Sequence, residues 1–145
     1  MALVSGAFID TSDISTNPSQ NNILATSTEE IVSTSTIKRK EDIESKVKAY
    51  FSGNPVMQKI AYCESRNRQF DSNGSIMRGV VNDKDVGIFQ INEKYHLSDS
   101  KKMGIDIYTV EGNMKYAKYL YENQGTAPWN SSRPCWGNTE VFALK

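Results

Sequence analysis

Ile43, Val47, Tyr50 and Phe51 fall at i, i+4, i+7 and i+8, the spacing of one helix face. This predicts a helix running to about Ser52 and stopping at Gly53. A second helix is predicted from Asn54, a good N-cap, through Pro55, a good first-turn residue, to about Ser65. From Ile76 to Asn92 the texture changes to short apolar runs, Gly79-Val80-Val81 and Val86-Gly87-Ile88-Phe89, separated by Asn82-Asp83-Lys84. That pattern predicts a small hairpin. Helix then returns. Ser98 to Met103 is expected to form a short one closed by Gly104, and Val110, Met114, Ala117 and Tyr121 mark a longer one ending before Gly125. Tyr121 shares a face with Met114 and Ala117 and is expected in the core. The fold class is α+β, mostly α.

Ahead of these elements the periodicity vanishes. Between Thr11 and Thr36, fifteen of twenty-six residues are Ser, Thr or Asn, a composition that cannot bury enough apolar surface to offset ordering entropy. Residues 1–37 are therefore expected to be a flexible tether and residues 38–145 the domain, with Lys38-Arg39-Lys40 as the solvated start of a helix. The 145 residues, 38% of them apolar, suffice for one core. No run of about 18 apolar residues occurs, so no integral membrane segment is expected, in keeping with a mean hydropathy of -0.54. Met1 to Phe8 is apolar but has no basic flank, so it falls short of a signal peptide. Seventeen basic residues balance seventeen acidic ones, which argues against a nucleic-acid partner held by bulk charge. The balance is uneven along the chain: residues 1–37 carry -4 and residues 38–145 carry +4. A mildly basic domain suits a polyanionic matrix.

One carboxylate breaks the amphipathic pattern. On a wheel of the second helix, Cys63, Val56, Ile60, Glu64, Met57 and Ala61 share one arc, and Ser65, Gln58, Tyr62, Arg66 and Lys59 take the other. A glutamate on the apolar arc is desolvated, and near the helix C-terminus it also meets the negative end of the dipole; both effects raise its pKa. A carboxyl kept protonated near neutral pH is what a general acid requires. The structural alternative is a buried glutamate paired with Arg66 or Arg78. Asp85, at a hairpin end, would be the more hydrated partner, and two carboxyls with diverging pKa values suit glycosidic cleavage. Turn chemistry is the competing reading for Asp85, and Asp83 competes for the same role.

Cys63-Glu64-Ser65 followed by Asp85-Val86-Gly87-Ile88-Phe89-Gln90-Ile91-Asn92 resembles the lysozyme-like superfamily of lysozymes and lytic transglycosylases. The later run Asn113-Met114-Lys115-Tyr116-Ala117-Lys118-Tyr119-Leu120 is similar to a helix of soluble lytic transglycosylases, with Ala117 where a glycine is common. The match spans roughly residues 54 to 136. The resemblance implies a lysozyme-like fold, with the hairpin beside an active-site cleft, that cleaves the β-1,4 bond between N-acetylmuramic acid and N-acetylglucosamine. It implies Glu64 as catalytic acid and Asp85 as second carboxylate. The Asn-Met-x-x-Ala-x-x-Tyr-Leu helix favours a lytic transglycosylase, whereas Asp85 matches the hydrolytic muramidases. A non-catalytic glycan-binding or structural module is the reading from another class.

Gln90 and Asn92 alternate at the hairpin exit, and the resemblance makes both, with Tyr119, candidate substrate-binding residues. Cys63 and Cys135 are the only cysteines and His96 the only histidine, too few for an ordinary structural zinc site. A disulfide or two free thiols remain, and the similar Cys-Glu-Ser of the resuscitation-factor branch favours the disulfide. No metal or other cofactor is expected. His96 reads as a surface or capping residue, and Trp129 and Trp136 either stack on sugars or pack as a C-terminal plug. The partners implied are peptidoglycan glycan strands, with the tether a route to a larger cell-envelope or phage assembly. The implied location is extracytoplasmic or phage-particle associated.

Overall fold

A computed structural model describes residues 42–138. The expected tether, its boundary at residue 37 and the Lys38-Arg39-Lys40 helix start lie outside them. Helix α1 covers 42–50, and Ile43, Val47 and, in the turn that follows, Phe51 are buried. Tyr50 is not, at 44% exposed. Its ring lies edge-on to Phe51, centroids 4.9 Å apart, because the helix has ended and the chain turns there. Helix α2, Pro55–Ser65, begins at Asn54, whose side chain makes no capping bond. Pro55 has no N–H to satisfy, and the Met57 N–H donates to the Asn54 backbone carbonyl at 3.0 Å. The helix closes on Arg66 and Asn67, both left-handed (φ 59° and 58°), where their N–H groups bond back to Tyr62 and Ala61.

The buried arc of α2 is Met57, Ile60, Ala61 and Ser65. Ser65 was expected on the polar arc. It is buried because its hydroxyl donates to the Ile88 carbonyl at 2.8 Å and accepts from the Arg68 N–H at 2.9 Å, so the hydroxyl itself is satisfied.

Strands β1 (Asp85–Val86) and β2 (Ile91–Asn92) pair antiparallel, Asp85 opposite Asn92 and Val86 opposite Ile91. The hairpin therefore sits later than the apolar runs suggested. Asn82-Asp83-Lys84 does form a turn, but it joins β1 only to a single bridge, Arg78 to Val86, and leaves Val80 and Val81 fully exposed. Ile88 and Phe89, which read as strand, form the hairpin turn instead and are completely buried. Gly87 (φ 73°) and Gln90 (φ 47°) bend the chain at either end of it.

Two side-chain amides make that buried turn tenable. Asn113 Oδ1 accepts from the Phe89 N–H at 3.0 Å, and its Nδ2 donates to the carbonyls of Val86 (3.1 Å) and Ile107 (2.9 Å). Gln69 Oε1 accepts from the Ile88 N–H at 3.1 Å, and its Nε2 donates to the Ile107 carbonyl at 3.2 Å. Both amides are fully buried, and each satisfies backbone groups that no strand partner reaches.

Helix α3, Glu93–Lys102, starts five residues before the expected Ser98. Asn92 caps it by accepting from the Lys94 N–H at 3.1 Å. Helix α4, Val110–Gln124, is capped by the Thr109 hydroxyl, which accepts from Gly112, and ends at Gly125 (φ 61°) as expected. Its core tyrosine is Tyr116, whereas Tyr121 is only half-buried. A 3₁₀ helix, Ala127–Ser132, leads directly into the short α5, Arg133–Trp136. The described residues thus form a mostly helical α+β structure of five α-helices, one 3₁₀ helix and a two-stranded hairpin. Phe89 lies at the centre of its core, with ring centroids 5.3 Å from Phe51 and 6.0 Å from Trp129. No helix among these residues is long and apolar enough to cross a membrane.

Candidate active site

The last turn of α2, the hairpin, the start of α3, the end of α4 and the 3₁₀ helix surround a cleft of about 270 Å³. Glu64, Asp85, Gln90 and Asn92 all line it, so residues up to 28 positions apart in sequence converge on one space. The opposite wall is made by Pro128, Trp129 and Ser131. Tyr119 is not among the lining residues. It is partly exposed, on a face of α4 beside Tyr116, with ring centroids 5.5 Å apart.

Glu64 reaches the cleft because it lies on the arc of α2 that carries Met57, Ile60 and Ala61 inward. It is half-buried. Burial pushes its carboxyl pKa up, the Ser132 hydrogen bond pulls it down, and the negative charge of Asp85 raises it again. Ser132 Oγ donates to Glu64 Oε1 at 2.6 Å. Neither arginine of the structural alternative reaches Glu64. Arg78 donates to the Glu93 carboxylate at 3.0 and 3.4 Å, and Arg66 lies over the Tyr62 ring, 4.4 Å from its centroid. Among the described residues no cation forms an ion pair with Glu64.

Asp85 occupies a different environment. Its Oδ1 accepts from Asn92 Nδ2 at 2.7 Å and from Asn82 Nδ2 at 3.3 Å. The cross-strand pairing fixes the first of these, since Asp85 and Asn92 face each other in the register. One carboxyl is thus desolvated and served by a single hydroxyl, and the other is held by two amides. Asn92 has a double duty, steering Asp85 with its Nδ2 and capping α3 with its Oδ1. Gln90 is held by a bond from its Nε2 to the Gly87 carbonyl at 2.9 Å.

His96 and Trp129, read in sequence as a surface or capping residue and as a stacking or plug residue, both line the cleft, and Ser132, which the sequence reading missed, touches Glu64 from behind the lining. His96 faces the cleft with its Nδ1 3.3 Å from the Tyr116 hydroxyl, and burial lowers its pKa against the opposing charge of Asp99. Trp129 is both plug and wall: its indole N–H donates to the Phe89 carbonyl of the turn at 2.9 Å. Ser132 carried no signal beyond lying three residues before Cys135. That cysteine is bonded to Cys63, with Cα atoms 6.0 Å apart, and the bridge brings the 3₁₀ segment to the acid. Among the described residues no group of three or more His, Cys, Asp and Glu could hold a metal ion. No known family, curated protein or solved structure matches the chain.

Proposed function

We propose that the chain is a peptidoglycan-cleaving glycosidase with a lysozyme-like domain, acting on the β-1,4 bond between N-acetylmuramic acid and N-acetylglucosamine as a lytic transglycosylase. The observation that carries this reading is Glu64, a half-buried carboxyl without a cationic partner among the described residues, whose pKa is raised and which opens into the same cleft as Asp85. In the first half of the reaction the Glu64 carboxyl protonates the glycosidic oxygen as the C1–O bond breaks. The amide-held Asp85 and the cleft dipoles face the positive charge that develops on the sugar. In the second half Glu64, now a carboxylate, takes the proton from the muramic acid 6-hydroxyl, whose oxygen closes on C1 to give a 1,6-anhydro end. Gln90 and Asn92 offer amides to sugar hydroxyls and acetamides. The placement of Asp85 in the cleft favours one further reading, a hydrolytic muramidase in which water attacks instead.

The oxidised Cys63–Cys135 pair supports an extracytoplasmic or phage-particle setting. Glu64→Gln tests the assignment, because the amide keeps the shape and carries no acidic proton. Clearing of purified peptidoglycan should fall by about 10² to 10⁴ while glycan binding persists. A variant that clears at the parent's rate overturns the reading.

A further inference from the structure

The Cys63–Cys135 bridge joins the residue preceding Glu64 to the segment that supplies the only hydrogen bond recorded to the Glu64 carboxyl among the described residues. That segment, the 3₁₀ helix and α5, is made of two short helices with little intrinsic stability of their own. Among the described residues its side-chain hydrogen bonds to the rest of the domain are the Ser132–Glu64 bond and the Trp129 indole on the Phe89 carbonyl; the Trp136 indole donates within the segment, to the Trp129 carbonyl at 2.9 Å. Both cysteines are half-buried, within reach of a small thiol. The Ser132 hydroxyl has one proton and two acceptors, Glu64 Oε1 at 2.6 Å and the Trp129 carbonyl at 3.1 Å. It can donate to Glu64 when that group is ionised and turn to Trp129 when it is protonated, and so stay seated through both halves of an acid–base cycle.

We infer that the Cys63–Cys135 disulfide is a redox latch on the active site: formed, it holds Ser132 against Glu64 as a positioning residue; broken, it lets the 127–136 segment shift about its buried tryptophans so that Ser132 leaves Glu64 and cleavage slows. This rests on the reading of Glu64 as the acid. The opening reaction needs a thiol reductant of the glutathione or dithiol class. One reductant thiolate attacks one sulfur, the Sγ–Sγ bond breaks and a mixed disulfide forms; a second reductant thiolate breaks that bond and leaves with the first as a disulfide, and Cys63 and Cys135 each finish as a protonated thiol, two electrons and two protons having entered the protein. A wall-cleaving enzyme latched in this way would be slow in a reducing compartment and armed on reaching an oxidising one.

The test compares four samples of the full chain on purified peptidoglycan: oxidised parent, reduced parent, oxidised Ser132→Ala and reduced Ser132→Ala, with oxidised Ser132→Thr as rescue. Near-UV circular dichroism follows the fold, and the titration of the Glu64 carboxyl is read by carbon NMR. Reduction should slow the parent by about 10- to 100-fold, the usual penalty for a misplaced catalytic group, and reoxidation should restore it. Ser132→Ala should match the reduced parent and lose little more on reduction, because the two changes act through one contact. Ser132→Thr should retain most of the rate. In both slowed samples the Glu64 titration should move, to higher pH in Ser132→Ala, where only a hydrogen bond that lowers its pKa is gone. Full activity of the reduced parent, multiplicative losses, an unmoved titration or unfolding on reduction each overturns the latch. If the oxidised parent cleaves no peptidoglycan, the functional reading fails instead, and the titration still decides whether the disulfide controls Glu64.

Discussion

Gly87→Ala probes the device that shapes the cleft. Gly87 has φ 73°, and a Cβ built there would meet Gln69 Oε1 at 2.4 Å, Asn113 Nδ2 at 2.5 Å and Gln69 Cδ at 2.9 Å. The left-handed conformation alone costs an alanine about 1–2 kcal/mol. The clash adds more, because the two amides cannot retreat without abandoning the N–H groups of Ile88 and Phe89 and the carbonyls of Val86 and Ile107. Leaving even one or two buried groups unpaired costs about 1–3 kcal/mol each, so with the backbone cost the total is roughly 2–8 kcal/mol, a large part of the 5–15 kcal/mol of a typical domain. Gly74→Ala is the control: its φ is 82°, and nothing lies within 4 Å of the added carbon. Urea unfolding followed by tryptophan fluorescence should place the Gly87→Ala midpoint well below that of Gly74→Ala. With slopes of about 1–3 kcal/mol/M, a difference of about 3 kcal/mol is 1 M or more. Midpoints that agree within about 0.3 M would refute the amide clamp and leave only backbone strain.

Other outcomes follow from the site. Burial raises the folded-state pKa of Glu64, so its contribution to stability is complete below the unfolded value and is lost as pH rises through the folded one. Glu64→Gln should therefore be more stable than the parent near pH 8, with the gap closing towards pH 4, and a less stable variant near pH 8 contradicts the desolvated carboxyl. Glu93 is the reverse case, its pKa lowered first by the Arg78 hydrogen bond and then by that of Tyr108, whose hydroxyl donates at 2.7 Å. The parent's advantage over Glu93→Gln should hold at neutral pH and fade as pH falls through the lowered folded value, which urea midpoints at several pH values would show. Asp85→Asn should cost a transglycosylase modestly and a hydrolase orders of magnitude; mass spectrometry of the products decides between them, since an anhydro end is one water lighter than a hydrolysed one. Intact mass without reductant should lie two hydrogens below the dithiol value, and the 72-residue separation of the bridged cysteines corresponds to about 4 kcal/mol in the chain-entropy treatment, read as a lower unfolding midpoint in reductant.

Local pattern alone determined α1, α2 and α4, because their apolar positions repeat at the helical period and Gly53, Pro55 and Gly125 mark their ends. The same periodicity exposed Glu64, since a carboxylate on an apolar arc contradicts its neighbours whatever the remaining fold. Asp85 was legible only as one of two neighbouring acids, and strand register, with Asn92 opposite, is what distinguishes it from Asp83. The tertiary structure decided what no local period encodes: which polar residues go inside. Gln69, Asn113 and Ser65 look like surface residues in sequence, yet they are buried because backbone groups from distant segments need them as partners. Ile88 and Phe89 read as strand but form a turn, since those amides replace the hydrogen bonds a strand partner would have supplied. Tyr116 rather than Tyr121 fills the core, and Tyr119 lies apart from the cleft lining, because the packing of α4 against its neighbours sets which flank of the helix faces inward. Ser132 and Trp129 reach the site by a bridge between cysteines 72 positions apart and by an indole bonded to a turn carbonyl. Contacts of that range depend on chain closure, and a sequence window cannot contain them.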